Sequence, residues 1–551
     1  MRAFAFILAV FYTFTVSAQD RGLVVSQDRY ASEVGAQVLR EGGTAIDAAV
    51  ATAFALAVTH PLAGNIGGGG FLLTRDAGGA SDFYDFRETA PTWSRPHMFV
   101  VNGKYDENIH HWGHRSVSVP GTVAGLHLAW SDRGQLPWAR LLEPAIKLAR
   151  EGFIVSKSLA AALERALPRF GRYPASLAQF SNSGKPYEEG DRLVQADLAN
   201  TLERIAKNGP SDFYSGRTAR LLVKEMKSGK GLITARDLKK YKAIKRRPVS
   251  GAYRGYQVIG APPPSSGGVA IIESLNILEG FDVSKMAWDS APYVHLVSET
   301  LRRAFSDRAK YLGDPDSVPD MPIERLMSKE HAADLRQTIH PDRASQSSPT
   351  QFEWPPESME TTHVSVVDRA GNTVSLTYTL ELSFGSHIVV PGAGFLLNNE
   401  MGDFNAIPGN TDSTGLIGTP PNLARAGKRM LSSMSPTILV KDGKPWLVTG
   451  SPGGRTIIST SLLTILATVD FRLDAQASVE ASRFHHQWLP DRIVFERDKF
   501  STKTLDALKE MGHSLYQTNS QGCAQIILGR DGRWEGGTDI LRWADSAAVR
   551  E

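Results

Sequence analysis

The clearest periodic signal in the chain is helical. Between Pro292 and Tyr311, apolar residues recur at Val297, Leu301, Ala304 and Phe305, the spacing of one helix face. Similar patterns predict helices beginning near Ala31, Trp138, Ala160 and Val269. The longest apolar helix candidate, Ala45 to Val58, follows Thr44 with Asp47 three residues on, the two halves of a capping box. It is short of the roughly 20 residues that cross a bilayer and reads as a buried core helix. Short β-type runs appear at Phe71 to Thr74 and Asp82 to Phe86. The first two thirds therefore read as mixed α/β, with no internal repeat of solenoid type.

That pattern stops near His340. Residues 340–360 read HPDRASQSSPTQFEWPPESME, rich in Pro, Ser and Gln and without an apolar period, as an exposed linker does. Directly after it comes TTHVSVVDRAGNTVSLTYTLELSF, strongly β-type on both sides of a turn. A loose linker abutting a firm strand is a place where a chain can be cut without losing its fold.

The turn fixes a register. Arg369-Ala370-Gly371 suits a three-residue hairpin loop ending on a left-handed glycine, which pairs Asp368 with Asn372. Counting back along both strands sets Thr361 opposite Thr379, and alternation places Glu381 on the face of Thr379. A threonine inside a chain is a poor nucleophile because nothing nearby takes its proton. Breaking the bond before it creates an α-amine of pKa about 8, a built-in general base. On pattern alone, Thr361 and Thr362 remain ordinary strand threonines.

Composition narrows the partners. The chain has 551 residues, 42% hydrophobic and 22% charged, enough for two domains or one large multilayer domain. A formal net charge of +3 gives no argument for nucleic acid or an anionic membrane. Met1-Arg2, the apolar run Ala3 to Val16 and the small residues before Gln19 have the three-part layout of a secretory signal, residues 1–18; a retained anchor is the alternative, against which the apolar run is short for a membrane span. The single cysteine, Cys523, rules out an internal disulfide and sits in an apolar stretch as a core residue. Export without disulfides suits a bacterial periplasm.

Eight further segments carry a resemblance. They are THPLAGNIGGGGFLL from Thr59, DFRETAP from Asp85, VPGTVAG from Val119, PPPSSGG from Pro262, TTHVSVVD from Thr361, NNEMGDF from Asn398, LSSMSPTI from Leu431 and GSPGGRTI from Gly450. In this order, over nearly the whole length, the chain resembles the γ-glutamyltranspeptidases (glutathione hydrolases). The resemblance implies an α+β fold, the four-layer αββα sandwich of N-terminal-nucleophile hydrolases. It also implies self-cleavage between Glu360 and Thr361 into a large subunit, 19–360, and a small catalytic one, 361–551, that stay associated. Thr361 would attack a γ-glutamyl amide such as glutathione, Thr379 would orient it, and the N–H groups of Gly453 and Gly454 would receive the oxyanion. Arg87 would pair with the glutamyl α-carboxylate, assisted by Ser432 and Ser433, while Glu381, Glu400 and Asp403 would gather around the ammonium. Water, an amino acid or a dipeptide would accept the acyl group, with no cofactor and no metal. The stretch Phe404 to Met430 corresponds to a lid loop, with Thr414 where many bacterial relatives carry an aromatic residue.

Other patterns carry less. Gly67 to Gly70 lacks the ending of a phosphate loop and is assigned to close backbone packing. His110, His111 and His114 lack zinc-type spacing, and His363 is assigned a structural role. Two enzyme alternatives share the motifs, a glutaryl or cephalosporin acylase and a poly-γ-glutamate-cleaving enzyme. A glutaryl group has no α-amine to meet three carboxylates. An uncleaved, inactive binding protein is the alternative outside enzymes.

Overall fold

The computed structural model describes residues 22–348 and 361–551. The signal at 1–18, the last part of the linker and Glu360 lie outside the described residues. Thirteen strands make up the two main sheets. In chain order the first six are β1 (Leu23–Ser26), β2 (Gly69–Arg75), β3 (Ser81–Asp85), β4 (Ile244–Arg246), β5 (Val249–Tyr253) and β6 (Tyr256–Gly260). The rest are β7 (Thr362–Val367), β8 (Thr373–Thr379), β9 (Thr437–Lys441), β10 (Lys444–Thr449), β11 (Gln525–Arg530), β12 (Arg533–Thr538) and β13 (Ala547–Arg550). One sheet runs β13-β1-β7-β8-β2-β3-β4 and the other β12-β11-β10-β9-β6-β5. Each sheet draws strands from both sides of position 361.

Six helices flank the sheets and frame the polar clusters: α1 (Arg29–Arg40), α2 (Ala45–Thr59), α3 (Gly267–Leu278), α4 (Ala291–Tyr311), α5 (Lys329–Gln337) and α6 (Thr456–Val469). The predicted capping box is present, with Thr44 Oγ1 accepting from the Asp47 N–H and the Asp47 carboxylate accepting from the Thr44 N–H. All fifteen residues of α2 are buried, because it is packed between its neighbours α1 and Trp138–Glu151 and the first sheet. Truncating a ring such as Phe54 there would cost about 3–5 kcal/mol. Among the described residues no helix is long and apolar enough to cross a membrane.

Three apolar cores separate four layers. One lies between the sheets and includes Val25, Phe71, Phe83, Ile259, Ile438 and Ile527. A second joins α2 and its helical neighbours to the outer face of the first sheet, and a third joins α3, α4 and α6 to the outer face of the second. The architecture is therefore helix, sheet, sheet, helix, the αββα sandwich expected from the resemblance.

The first part of the linker is less loose than its composition suggests. The N–H of Ala344 donates to Met511 O at 2.7 Å, and that of Ser347 donates to Asp491 Oδ2 at 2.7 Å. On the other side, Ser345 N–H donates to Glu299 Oε1 at 3.1 Å. Polar side chains without an apolar period can be fixed by hydrogen bonds alone, a signal that hydrophobic patterning does not carry.

Candidate active site

The hairpin β7–β8 has the register that its turn predicts. Asp368 N–H donates to Asn372 O, Gly371 adopts φ 85°, and Thr362 stands opposite Tyr378. One step further, Thr361 Oγ1 donates to Thr379 Oγ1 at 3.4 Å, both residues being almost wholly buried. The run Gly67 to Gly70 packs behind this pair. A Cβ on Gly68 would collide with the Thr379 carbonyl, which also accepts from Asn65 Nδ2 at 2.8 Å. That is the close packing assigned to these glycines.

Glu381 reaches the site by another route than strand alternation. β8 ends at Thr379, and Glu381 adopts φ 81°, a left-handed conformation that L side chains rarely take. Its N–H donates to Thr379 Oγ1 at 2.9 Å, and its Oε1 is 3.0 Å from His111 Nδ1. A side chain at Gly402 would overlap both Glu381 and His111, so glycine in the segment NNEMGDF is needed for them to meet. In the sequence His111 stands out only as a metal candidate. The structure instead sends the three histidines to different partners: His110 to Phe404 O and Tyr105, His111 to Glu381, His114 to Glu225.

Gly453 and Gly454 lie directly before α6, with φ 135° and 55°. Arg455 caps the helix, and the N–H groups of Thr456 and Ile457 donate to the carbonyls of Gly453 and Gly454 at 3.0 and 3.2 Å. Gly454 lines the pocket next to Thr361, while Gly453 is buried behind it. A Cβ on Gly453 would collide with Thr456 Oγ1.

Arg87 is fully buried and pairs with Glu400 through Nη1 and with Asp403 through Nη2, while its Nε donates to Met430 O at 3.3 Å. Glu88, also fully buried, lies 3.7 Å from Nη1. The carboxylates hold Arg87 firmly protonated. Burial pushes the Glu88 and Glu400 carboxyls up, against the pull of Arg87. The resemblance sets Arg87 and the acids at opposite ends of a ligand. Here they are in direct contact, so Arg87 itself supplies a cation for the cluster. Of the three carboxyl groups, only that of Asp403 is open to the pocket, where a second positive charge can reach it. Glu88 carries no mark of its own in the sequence, although it stands inside DFRETAP.

Ser432 and Ser433 lie on the pocket wall. The backbone oxygen of Ser432 accepts from Ser266 N–H at 2.8 Å and Ser266 Oγ at 2.7 Å, so the PPPSSGG turn buttresses the pair. Ser433 Oγ accepts from Arg308 Nη2 at 3.0 Å, and Arg308 Nε donates to Ser266 Oγ at 2.8 Å. Arg308 belongs to the polar face of α4 and has no motif to mark it. From the lid stretch, Phe404, Asn405, Ile417, Thr419 and Asn422 line the pocket. Thr414 Oγ1 bonds Asp412 Oδ1 at 2.9 Å within the lid, and Arg455 Nη1 donates to Gly415 O at 3.4 Å. The segment 404–430 is thus tied to the residue that follows the paired glycines.

Two remaining residues are structural. His363 bonds Thr377 Oγ1 at 2.8 Å and Ser365 Oγ at 3.1 Å, and burial lowers its pKa to about 3. Cys523 is buried, with its thiol pushed up to about 12, which makes it a poor nucleophile.

A threonine at the start of a strand, in a four-layer αββα sandwich, beside a pocket with a buried arginine, defines the class: an N-terminal-nucleophile hydrolase. The family model for gamma-glutamyltranspeptidase matches residues 31–549, and the chain belongs to that family. It is 46% identical over 528 residues to the glutathione hydrolase proenzyme of Escherichia coli K12, covering 94% of this chain and 90% of that one. Among solved structures, a cephalosporin acylase from Bacillus halodurans superposes with a TM-score of 0.83 at 27% identity, covering 96% of this chain and 95% of its own. The gamma-glutamyltranspeptidase of Helicobacter pylori matches at 43% identity and TM-score 0.56, covering 57% of this chain and 91% of its own.

Proposed function

We propose that this chain cleaves itself between Glu360 and Thr361 and then transfers γ-glutamyl groups from glutathione and related amides to water, amino acids or dipeptides. The observation that carries the reading is the Thr361–Thr379 contact of 3.4 Å in the wall of the pocket that also holds Arg87 and Asp403. In the precursor, Thr361 Oγ1 attacks the carbonyl carbon of residue 360 and the acyl group passes from nitrogen to oxygen. Water then hydrolyses the ester, leaving a carboxylate at 360 and an α-amine on Thr361.

In turnover that amine takes the hydroxyl proton as Oγ1 attacks the γ-carbonyl. Thr379 aligns the hydroxyl, and the N–H groups of Gly453 and Gly454 stabilise the oxyanion. Collapse expels the amine, which takes the proton, and leaves a γ-glutamyl ester on Thr361. Water or an acceptor amine then attacks that ester. Arg87 and the serine pair hold the donor α-carboxylate, and Asp403 with Glu381 and Glu400 surrounds its ammonium. Support for a glutamyl donor over a glutaryl one comes from Asp403, whose carboxylate opens on the pocket, where the donor's ammonium can meet it. We also assign residues 1–18 as a signal for export, with the periplasm as destination; the mature protein would begin near Gln19.

The test is release of a chromogenic anilide from its γ-glutamyl and glutaryl forms, with and without a dipeptide. Faster release from the γ-glutamyl form, stimulated by the dipeptide, is expected. A preference for the glutaryl form would move the chain to the acylases, and no release from either would overturn the enzyme reading.

A further inference from the structure

Outside the pocket, α3, α4 and α5 bring Glu273, Asp307 and His331 together, one ligand atom of each lying within 4.8 Å of the others. Glu273 is 1% exposed; neither of its carboxylate oxygens accepts a hydrogen bond from a donor group, and its carboxyl faces that of Asp307, with Arg325 nearby. A buried carboxylate in that condition is costly unless it is protonated or meets a cation. Asp307 and His331 are half-buried, which leaves a route from solvent. His331 Nε2 stands 2.7 Å from Asp307 Oδ2, and Ser328 Oγ at the start of α5 accepts from the His331 N–H at 3.1 Å.

We propose that Glu273, Asp307 and His331 bind a divalent transition-metal ion of the zinc type. Two carboxylate oxygens and one imidazole nitrogen are an ordinary zinc donor set, with a fourth position for water. Three protein ligands are too few for the six to eight oxygens that calcium takes. Binding at Nε2 requires the single ring proton of neutral His331 to move from Nε2 to Nδ1 by way of solvent, and the Arg325 Nη1 contact at Nδ1, 3.4 Å long, is given up. Arg325 already lies over the Tyr311 ring, 5.1 Å from its centroid, and has a place to rest.

A second buried cluster, His295, Glu299 and His513, makes the contrast. There His295 bonds His513 at 2.8 Å and His340 O at 2.7 Å, while Glu299 accepts from Arg302, Arg303 and Ser345. Its facing groups are already satisfied, whereas Glu273 is not. Asp307 immediately precedes Arg308, the residue that holds Ser433 and Ser266. An ion at Asp307 ties three helices together next to that support and takes no part in acyl transfer.

The full processed protein, stripped with chelator, would be dialysed against zinc chloride and assayed for bound zinc and for melting temperature. One zinc per chain and a raised melting temperature are expected. Glu273→Gln, which keeps the shape, and the half-buried His331→Ala should each bind zinc at least about tenfold more weakly, with unchanged far-UV circular dichroism. If one variant fails to fold, the other decides. No stoichiometric zinc in the wild type, or zinc retained by either folded variant, overturns the proposal.

Discussion

Arg87 and Asp403 form an ion pair in the pocket wall, the guanidinium wholly buried and the carboxylate 38% exposed. In the proposed complex the donor's α-carboxylate competes with Asp403 for Nη2, and its ammonium offers Asp403 a new partner. Arg87→Lys keeps the charge but loses the planar fork. It is expected to lower kcat/KM for a γ-glutamyl anilide roughly 10- to 100-fold, mostly through KM. Steady-state kinetics check this, and an unchanged KM would remove Arg87 from donor binding.

Thr379 Oγ1 accepts from both Thr361 Oγ1 and the Glu381 N–H. Thr379→Val preserves shape and removes both bonds. Self-cleavage, followed by the appearance of two bands on a denaturing gel, should slow about tenfold or more, and Thr379→Ser should restore most of the rate. Equal rates in the valine and serine variants would assign Thr379 a packing role only.

Burial raises the Glu88 carboxyl above its ordinary value of 4.5 in the folded state. The folded protein then holds a proton that the unfolded chain releases, so this group's contribution is full below about pH 4.5 and is lost as pH rises through the folded value. Glu88→Gln cannot ionise. Between pH 4.5 and 8 its melting temperature should fall less than that of the wild type, and parallel curves would contradict the assignment.

The lid carries Thr414 bonded to Asp412. Thr414→Tyr adds an aromatic group to the lid and is expected to exclude water from the acyl-enzyme, raising transfer over hydrolysis by about twofold or more. Product analysis with a dipeptide acceptor measures the ratio, and an unchanged ratio would dismiss the lid residue as a control of acceptor choice.

How much of the fold and site is legible in the sequence depends on the range of the interaction. The hairpin register follows from Asp368 to Asn372, because a short turn fixes every pair behind it. The helix over Ala45–Thr59 follows from its capping box and unbroken apolar run, and that over Ala291–Tyr311 from its apolar spacing. Glu381 does not, because the strand ends two residues earlier and the chain turns through a left-handed conformation. Nor does the meeting of Arg87 with Glu400 and Asp403, more than 300 positions away, or that of Arg308 with Ser433. Local patterns carry turns and faces, whereas contacts between distant polar side chains are set by how the two sheets stack.

In the proposed function Thr361 becomes an N-terminal nucleophile. The most direct test of this is the intact mass of the small chain, measured before and after a rapid acid quench with a γ-glutamyl donor. A fragment of residues 361–551 that gains one γ-glutamyl group on Thr361 is expected. An unbroken chain, a cut at another bond, or an adduct on another residue would contradict it.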